Sequence, residues 1–264
     1  MSQTPDPALE VRNVSLSFKG VKAISDLSFR VERHEICALI GPNGAGKSSL
    51  LNILNGVYVP DSGEIAFEGE HFHRMEPLKA ARRGIGRGFQ NNALFSGMSV
   101  LDNVIAGLSR RATATLIEEA LRLPRARAQE VAFRERARDV LHLFDLDGHA
   151  NTIVGTLPYG VQKKVELARA VVAKPTLLLL DEPLAGMNAS EKEEIAAVIG
   201  RLNRDLKLTV VLIEHDIGIV LRLAHHVVVL DYGRKLADGP PETIRDNPDV
   251  IAAYIGSDHA ELAA

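Results

Sequence analysis

Four short apolar runs stand out in the pattern of hydrophobic and polar positions. They are EICALIG (35–41), TLLLLDE (176–182), LTVVLIEH (208–215) and HHVVVLD (225–231). Apolar and polar residues do not alternate within them, which is typical of strands buried on both faces of a sheet. Apolar positions at helical spacing follow in KSSLLNILNG, which stops at Gly56, and in VQKKVELARAVVAKP, which ends before Pro175. Strands that alternate with helices predict a parallel α/β sheet.

The rest of the chain carries other patterns. ALEVRNVSLSF and AISDLSFRVE alternate more clearly, and DSGEIAFEGE has the form of a turn followed by an edge strand. These segments predict an antiparallel sheet that leans on the parallel core. Residues 92–154 contain almost no strand pattern and predict two or three amphipathic helices, broken near Pro124. The tail after Pro240 and Pro241 predicts one or two short helices.

The composition is that of an ordinary globular chain, with 264 residues, 46% hydrophobic and 25% charged. A net charge of -3 argues against a strongly basic nucleic-acid binder. The single cysteine, Cys37, excludes an intramolecular disulfide and fits a reducing compartment. No apolar run approaches the roughly 18 residues of a membrane-spanning helix, and the N-terminus does not resemble an export signal. We therefore expect a cytosolic protein that reaches a membrane only through a partner.

The strongest chemical motif is GPNGAGKSS, which fits the phosphate-binding pattern G-x-x-x-x-G-K-[ST]. It follows a predicted buried strand and opens a predicted helix. Its glycines let backbone N–H groups surround an anion, and the helix dipole adds to their field. We predict that Lys47 reaches the β- and γ-phosphates of a nucleotide and that Ser48 offers its hydroxyl to Mg²⁺. The predicted nucleotide contacts in this loop are Gly41, Pro42, Asn43, Gly44, Ala45, Gly46, Lys47, Ser48 and Ser49.

Two adjacent carboxylates end the run TLLLLDE, although a buried charge is costly unless something compensates it. A phosphate loop offers that compensation through a metal ion and a lysine. We predict that Asp181 holds Mg²⁺, directly or through water. Glu182, the next residue, is predicted to face the γ-phosphate and to polarise the attacking water as general base. An ordinary strand end with exposed acids would be the better explanation if the chain had no phosphate loop.

Two single residues gain meaning from their positions. Gln90, in GRGFQNN, follows a predicted strand just before the helical segment, where it can contact Mg²⁺ or the attacking water and respond to that segment. His215, in VLIEHD, ends another buried strand and can hydrogen-bond the γ-phosphate. Considered alone, Gln90 gives no evidence of a functional site, and His215 is better explained as a histidine at the edge of the core.

The ordered set of phosphate loop, Gln90, LPYGVQKK, LLLLDEP and IEHD resembles an ATP-binding-cassette (ABC) ATPase across about residues 8–256. The resemblance implies a P-loop NTPase fold with a RecA-like parallel-sheet core, an N-terminal antiparallel β subdomain and an inserted α-helical subdomain. The core would span about 8–91 and 155–238, the insert about 92–154, and a helical tail 239–264. The resemblance also implies ATP and Mg²⁺ as cofactors and Phe18 as the aromatic that stacks on adenine.

The resemblance further implies a dimer in which each ATP lies between the phosphate loop of one subunit and the signature segment of the other. The signature would be Leu157 to Gln162, at a helix N-terminus that suits the γ-phosphate. Pro158 departs from the usual Leu-Ser-Gly-Gly-Gln and removes the serine hydroxyl. Losing one neutral hydrogen bond costs roughly 0.5–1.5 kcal/mol, too little to infer an inactive site. We expect Tyr159, Gly160 and Gln162 to contact the nucleotide.

Asn188 stands where the family usually has an aspartate, and we expect it to contact the nucleotide through its polar side chain. LPYGVQKKVELARA, DEPLAGMN and the tail GPPETIRDNPDVIAAYIG are together similar to the branched-chain amino-acid uptake ATPases of bacteria. Relatives of that subfamily handle other small solutes. The implied partners are transmembrane permease subunits, a second identical or different ATPase subunit and, indirectly, a periplasmic solute-binding protein. The chain would lie on the inner face of the inner membrane, with no nucleic acid as partner.

The permease contact is expected in the groove beside Gln90 and NNALFSGMSVLDNV (91–104). Leu94, Phe95, Met98 and Val100 are candidate apolar contacts, and packing in a helical core explains each of them equally well.

Three other classes of protein share part of this pattern. A soluble ABC ATPase that acts on DNA or ribosomes usually carries two cassettes or a long coiled coil. A P-loop kinase of a small metabolite would lack the signature segment and His215. An exporter ATPase, such as one for lipopolysaccharide, has a closely similar design, and a pull-down with its membrane partners would separate it from an importer.

Overall fold

The computed structural model describes residues 6–88 and 94–261, which form ten strands and ten α-helices. The strands are β1 (Leu9–Phe18), β2 (Val21–Val31), β3 (Ile36–Ile40), β4 (Ser62–Phe67), β5 (Glu70–Phe72), β6 (Ile85–Gly88), β7 (Leu177–Asp181), β8 (Thr209–Ile213), β9 (His226–Asp231) and β10 (Arg234–Gly239). The helices are α1 (Lys47–Leu54), α2 (Pro77–Arg82), α3 (Val100–Ala106), α4 (Leu116–Ala120), α5 (Pro124–Leu143), α6 (Tyr159–Val171), α7 (Ala189–Leu206), α8 (Ile217–Leu223), α9 (Pro241–Arg245) and α10 (Pro248–Glu261).

The central sheet has six strands in the order β10-β9-β3-β8-β7-β6. Adjacent strands in this sheet are parallel, except that β10 pairs antiparallel with β9. The four non-alternating apolar runs of the sequence form β3, β7, β8 and β9, so the prediction of a parallel α/β core is confirmed. Because β10 is half exposed and polar, its sequence RKLADG carries no buried-strand pattern.

A second sheet, with the order β2-β1-β4-β5, is antiparallel throughout, as predicted for the N-terminal part. The prediction that DSGEIAFEGE ends in an edge strand is wrong. β4 pairs with β1 on one side and with β5 on the other, and β5 forms the edge. The three residues of β5 are too few to show an alternating pattern, so the sequence offered no partner for the outer side of β4.

Two apolar cores lie on opposite faces of the central sheet. In β7, Leu178 and Leu180 face a core shared with α3, α5, α6, α7 and α8, whereas Leu177 and Leu179 face the antiparallel sheet and α1. All four leucines are buried, each worth about 1.5–3 kcal/mol when removed from water. Burial on both faces is the physical reason why the four strand runs do not alternate.

The predicted helical middle of the chain contains α3, α4 and α5. Pro124 is the first residue of α5, where its missing N–H and fixed φ suit a helix start. In the part of the chain that is described, no helix is long and apolar enough to cross a membrane.

A charged cluster lies at the amino-terminal ends of β3 and β9, at the opposite edge of the sheet from the phosphate loop. His226 Nε2 lies 2.5 Å from Asp238 Oδ1, and its Nδ1 lies 3.5 Å from Glu35 Oε1. The hydrogen bond to Asp238, followed by bonds to Cys37 and Glu35, raises the pKa of His226 to about 12. His226 is therefore protonated in the folded protein at neutral pH.

We expect the free energy of unfolding to fall as the pH rises above 6.5, the ordinary pKa of His226 in an unfolded chain. The folded protein keeps a proton there that the unfolded chain releases. The stabilisation is complete below that pH and is lost progressively as the pH approaches the folded-state pKa. Urea unfolding between pH 6.5 and about 8, below the ordinary pKa values of cysteine, tyrosine and lysine, measures the decline. In His226→Gln the free energy of unfolding should fall less steeply with pH than in the wild type. Equal slopes in the two proteins would contradict this assignment.

Candidate active site

The segment from Gly41 to Ser49 connects the carboxyl end of β3 to the first turn of α1. Gly46 has a φ of +97° where the helix begins, a conformation open to glycine because it has no Cβ. At Gly41 an added Cβ would lie 2.0 Å from the Leu230 carbonyl oxygen, so close approach of β9 requires glycine there. No side chain in the described chain caps the N-terminus of α1, so its first N–H groups can serve an anion.

Lys47 is buried inside the turn of this loop. Its ammonium donates to the carbonyl oxygens of Gly41 at 2.6 Å and Pro42 at 2.8 Å. Burial lowers the pKa of Lys47, and the charges of Glu182 and Asp181 act in the opposite direction. The lysine therefore lies within electrostatic reach of both carboxylates that end the strand TLLLLDE.

Asp181, the last residue of β7, meets the first turn of α1. Ser48 Oγ donates to Asp181 Oδ1 at 3.3 Å, and only 2% of the Asp181 side chain is exposed. Burial raises the pKa of Asp181, although Arg87 and Ser48 oppose that rise. A carboxylate destabilised in this way gains from a cation. Hydroxyl and carboxylate oxygens are donors that Mg²⁺ prefers, so the chemistry of Ser48 and Asp181 fits that ion.

Arg87, in β6, is a neighbour of this site that sequence reasoning missed. Its Nη2 lies 3.4 Å from Asp181 Oδ2, and its Nη1 donates to Asn52 Oδ1 at 2.6 Å. The guanidinium thus joins β6, β7 and α1 beside the buried carboxylate. An arginine in a short edge strand matches no motif, and only the pairing of β6 with β7 brings it here.

Glu182 has a φ of +48°, which is uncommon for a residue with a side chain. Its N–H donates to the Ile213 carbonyl at 3.0 Å, and its Oε1 lies 2.7 Å from His215 Nε2. Two side chains that follow the neighbouring strands β7 and β8 therefore meet at the carboxyl edge of the sheet. Backbone strain of this kind concentrates at functional sites.

Phe18 ends β1 with 42% of its surface exposed. Its ring packs edge-on against Tyr58, with centroids 5.1 Å apart. β2, which follows the turn after Phe18, passes the phosphate loop, because the Ala23 carbonyl lies against Gly46. An exposed aromatic ring near this loop provides a face on which a base can stack.

The signature segment begins α6, as predicted. Pro158 precedes Tyr159, whose hydroxyl donates to the Ala185 carbonyl at 3.2 Å. Gln162 Nε2 donates to the Leu157 carbonyl at 2.8 Å, so this side chain closes its own turn. Gly160 lies beside the Glu191 side chain. Tyr159 therefore joins the signature to the residues that follow Glu182.

Asn188 is the N-cap of α7. Its Oδ1 accepts from the Glu191 N–H at 3.0 Å, and Glu191 Oε2 accepts from the Asn188 N–H at 3.0 Å. This reciprocal capping box gives Asn188 a structural role at the helix start. The spacing Asn-x-x-Glu is the sequence signal for it.

Gln90 lies outside the described residues, so its contacts stay a prediction. Of the apolar candidates that follow, Phe95 and Met98 are exposed and Leu94 packs partly against the core. Val100 as a permease contact is wrong, because its side chain is fully buried at the start of α3.

The C-terminal helix reaches the phosphate loop. Tyr254, in α10, packs against the larger core, and the Gly41 backbone N–H faces its phenol oxygen. Burial raises the pKa of Tyr254 to about 12, although this N–H lowers it. The tail is therefore part of the surroundings of the loop.

A phosphate loop after a parallel strand, with two acidic residues at the end of a nearby strand, defines a P-loop nucleotide-binding protein. The family model "ABC transporter" matches residues 24–185, and "Branched-chain amino acid ATP-binding cassette transporter" matches residues 234–260. The chain belongs to the ABC transporter family and is an ATPase of that family.

Similar proteins support this assignment. The chain is 40% identical over 250 residues to the high-affinity branched-chain amino acid transport ATP-binding protein BraF of Pseudomonas aeruginosa, and 37% identical to LivG of Escherichia coli. Both matches cover 95% of this chain and 98% of the relative. A solved ATP-binding cassette of an ABC transporter, in its ADP conformation, has a TM-score of 0.83 and 28% identity over 95% of this chain and 99% of its own. The predicted P-loop NTPase fold is confirmed.

Proposed function

We propose that this chain energises the import of branched-chain amino acids from the inner face of the inner membrane. The observation that carries the proposal is the match of residues 234–260 to the branched-chain amino acid cassette model. This segment lies outside the part matched by the general ABC model, so it adds information on the solute class. The relatives BraF and LivG, matched along nearly their whole length, support the same class.

In the proposed reaction, Lys47 and the N–H groups of the loop bind the β- and γ-phosphates of ATP. Glu182 accepts a proton from the attacking water, and His215 orients Glu182 and hydrogen-bonds the γ-phosphate. Mg²⁺, held by Ser48, Asp181 and Gln90, would neutralise charge on the phosphates. Phe18 supplies a face for adenine.

We propose that two such ATPase subunits, identical or different, close over ATP. Tyr159, Gly160, Gln162 and Asn188 would then serve the nucleotide of the opposite subunit. Tyr159 is exposed at the start of α6, whose N-terminus suits an anion. The bond from Tyr159 to Ala185 supports a coupling of this surface to the segment that follows Glu182.

We place the permease contact in a groove of about 740 Å³ between the nucleotide-binding core and the insert at about 92–154. Its described lining includes Arg82, Arg87, Phe95, Arg110, Arg111 and Arg169. Among the described lining residues, the five arginines outnumber the one acid, Glu166, and with the exposed aromatic ring they favour a cytoplasmic permease segment that carries carboxylates and an apolar side chain. Arg87 lines this groove and also contacts Asp181. Movement of the bound permease segment would therefore displace a neighbour of the proposed magnesium ligand.

Transport into vesicles tests the proposal. The chain is reconstituted with the permease proteins encoded beside it, ATP is enclosed on its side of the membrane, and the binding protein is added on the other. We expect uptake of labelled leucine, isoleucine or valine only when ATP is enclosed, and none with Glu182→Gln. ATP-driven uptake of a different solute, with none of these three, would contradict the proposed solute class.

A further inference from the structure

Glu214 lies between the end of β8 and His215, and only 4% of its surface is exposed. In the sequence it matches no motif, because an acid next to a histidine is not a catalytic spacing on its own. A carboxylate removed from water is costly unless hydrogen bonds satisfy its oxygens. The contacts of Glu214 show what satisfies it.

Both oxygens of Glu214 accept from backbone N–H groups of the active-site edge. Oε1 accepts from Leu184 at 2.8 Å, and Oε2 accepts from His215 at 3.2 Å. Burial raises the pKa of Glu214, and these two donors oppose that rise. Leu184 is the second residue after Glu182, so one side chain joins the segment after Glu182 to the segment that carries His215.

The two segments are joined at two further points. The Glu182 N–H donates to the Ile213 carbonyl, and the Glu182 side chain contacts His215. Next to Leu184, the Ala185 carbonyl accepts from the Tyr159 hydroxyl of the signature segment. The Glu214 carboxylate makes one bond to the segment that follows Glu182 and one to the backbone of His215, so a single planar group fixes both.

We propose that Glu214 is a positioning residue for ATP hydrolysis. Its carboxylate holds the N–H groups of Leu184 and His215 at a fixed separation and thereby sets the orientation of His215 relative to Glu182. Through Leu184 and Ala185 it also supports the position of Tyr159. This inference rests on the proposed roles of Glu182 and His215.

Glu214→Gln tests the proposal, because the amide keeps the size of the side chain while its nitrogen cannot accept from a backbone N–H. One of the two links is lost in either orientation of the amide. We expect kcat for ATP hydrolysis to fall on the order of 10- to 100-fold, because small displacements of reacting groups slow a reaction by this much. The KM for ATP should be unchanged. Steady-state phosphate release measures both constants, and wild-type kcat in this variant would overturn the proposal.

Glu10→Gln is the matched control. Glu10 is also a buried glutamate, 7% exposed, but it lies in β1 and bonds Arg12 and Arg30. Both variants remove a buried charge, so thermal melting followed by circular dichroism should show a loss of stability in each. Only Glu214→Gln should lose kcat. Equal losses of kcat would assign the effect to general destabilisation and overturn the positioning role.

Two further variants keep every outcome informative. If Glu214→Gln does not fold, Glu214→Asp retains the charge but is too short to reach both N–H groups, and it should show the same loss of kcat. Wild-type kcat in a folded Glu214→Asp would overturn the proposal. Glu182→Gln distinguishes failure of the positioning role from failure of the proposed catalytic roles. If Glu182→Gln loses turnover while a folded Glu214 variant does not, only the positioning role of Glu214 fails. If Glu182→Gln turns over normally, the assignment of Glu182 as the general base fails first.

Discussion

Replacing Glu182 by glutamine should leave ATP bound but lower kcat by about 10²- to 10⁴-fold, the usual contribution of a general base. The amide has nearly the same size, so the contact with His215 and the backbone bond to Ile213 can be kept. What disappears is the oxygen that accepts a proton from water. Phosphate release gives kcat, and binding of a fluorescent ATP analogue gives the affinity.

Glu193→Gln is the control for this experiment. Glu193 is an exposed acid on α7 that pairs with Arg222, and it has no assigned role at the site. Glu193→Gln should change neither kcat nor the affinity for the ATP analogue. Wild-type turnover in Glu182→Gln would rule out the assignment of the base, whereas weakened ATP binding with normal turnover per bound ATP would move the residue into nucleotide recognition.

Replacing Lys47 by methionine should weaken ATP binding by about 10- to 100-fold. Hydrogen bonds to a charged group contribute about 1.5–3 kcal/mol, and each 1.4 kcal/mol corresponds to a tenfold change in affinity. Methionine retains most of the length and the apolar stem of lysine. The difference in ATP affinity from the wild type therefore measures the contribution of the Lys47 ammonium group. It also removes the cation that lies within electrostatic reach of Asp181 and Glu182.

Lys19→Met serves as the comparison for Lys47→Met. Lys19 lies in the exposed turn between β1 and β2, next to Phe18, so its charge is near the proposed adenine face but outside the phosphate loop. Titration with the same fluorescent analogue should give wild-type affinity for Lys19→Met. An unchanged affinity in Lys47→Met would contradict the nucleotide role of the loop.

Contiguous patterns predicted much of this molecule. GPNGAGKSS is one uninterrupted stretch, and its position after a buried strand was visible in the hydropathy pattern. The meeting of Ser48 with Asp181 was also predictable, because the carboxyl ends of parallel strands share one edge of the sheet. Glu182 and His215 were each predicted to lie at the γ-phosphate, and the structure adds a direct contact between their side chains.

Residues that act through tertiary neighbours were not predictable. Arg87 is 94 positions from Asp181, and Glu214 is 30 positions from Leu184. The residues that adjoin Arg87 and Glu214 in the sequence do not indicate that the first meets the side chains of Asn52 and Asp181 and the second the backbone of Leu184. The place of β4 inside its sheet was missed for a related reason, since its partner β5 has only three residues. Motif reasoning finds groups that meet the substrate more readily than groups that hold them in place.

The contact between Tyr254 and Gly41 has a practical consequence for anyone who prepares this protein. A version shortened before residue 254 would lose a buried phenol that faces the first glycine of the phosphate loop. Truncations that remove Tyr254 are therefore not neutral choices in nucleotide-binding measurements.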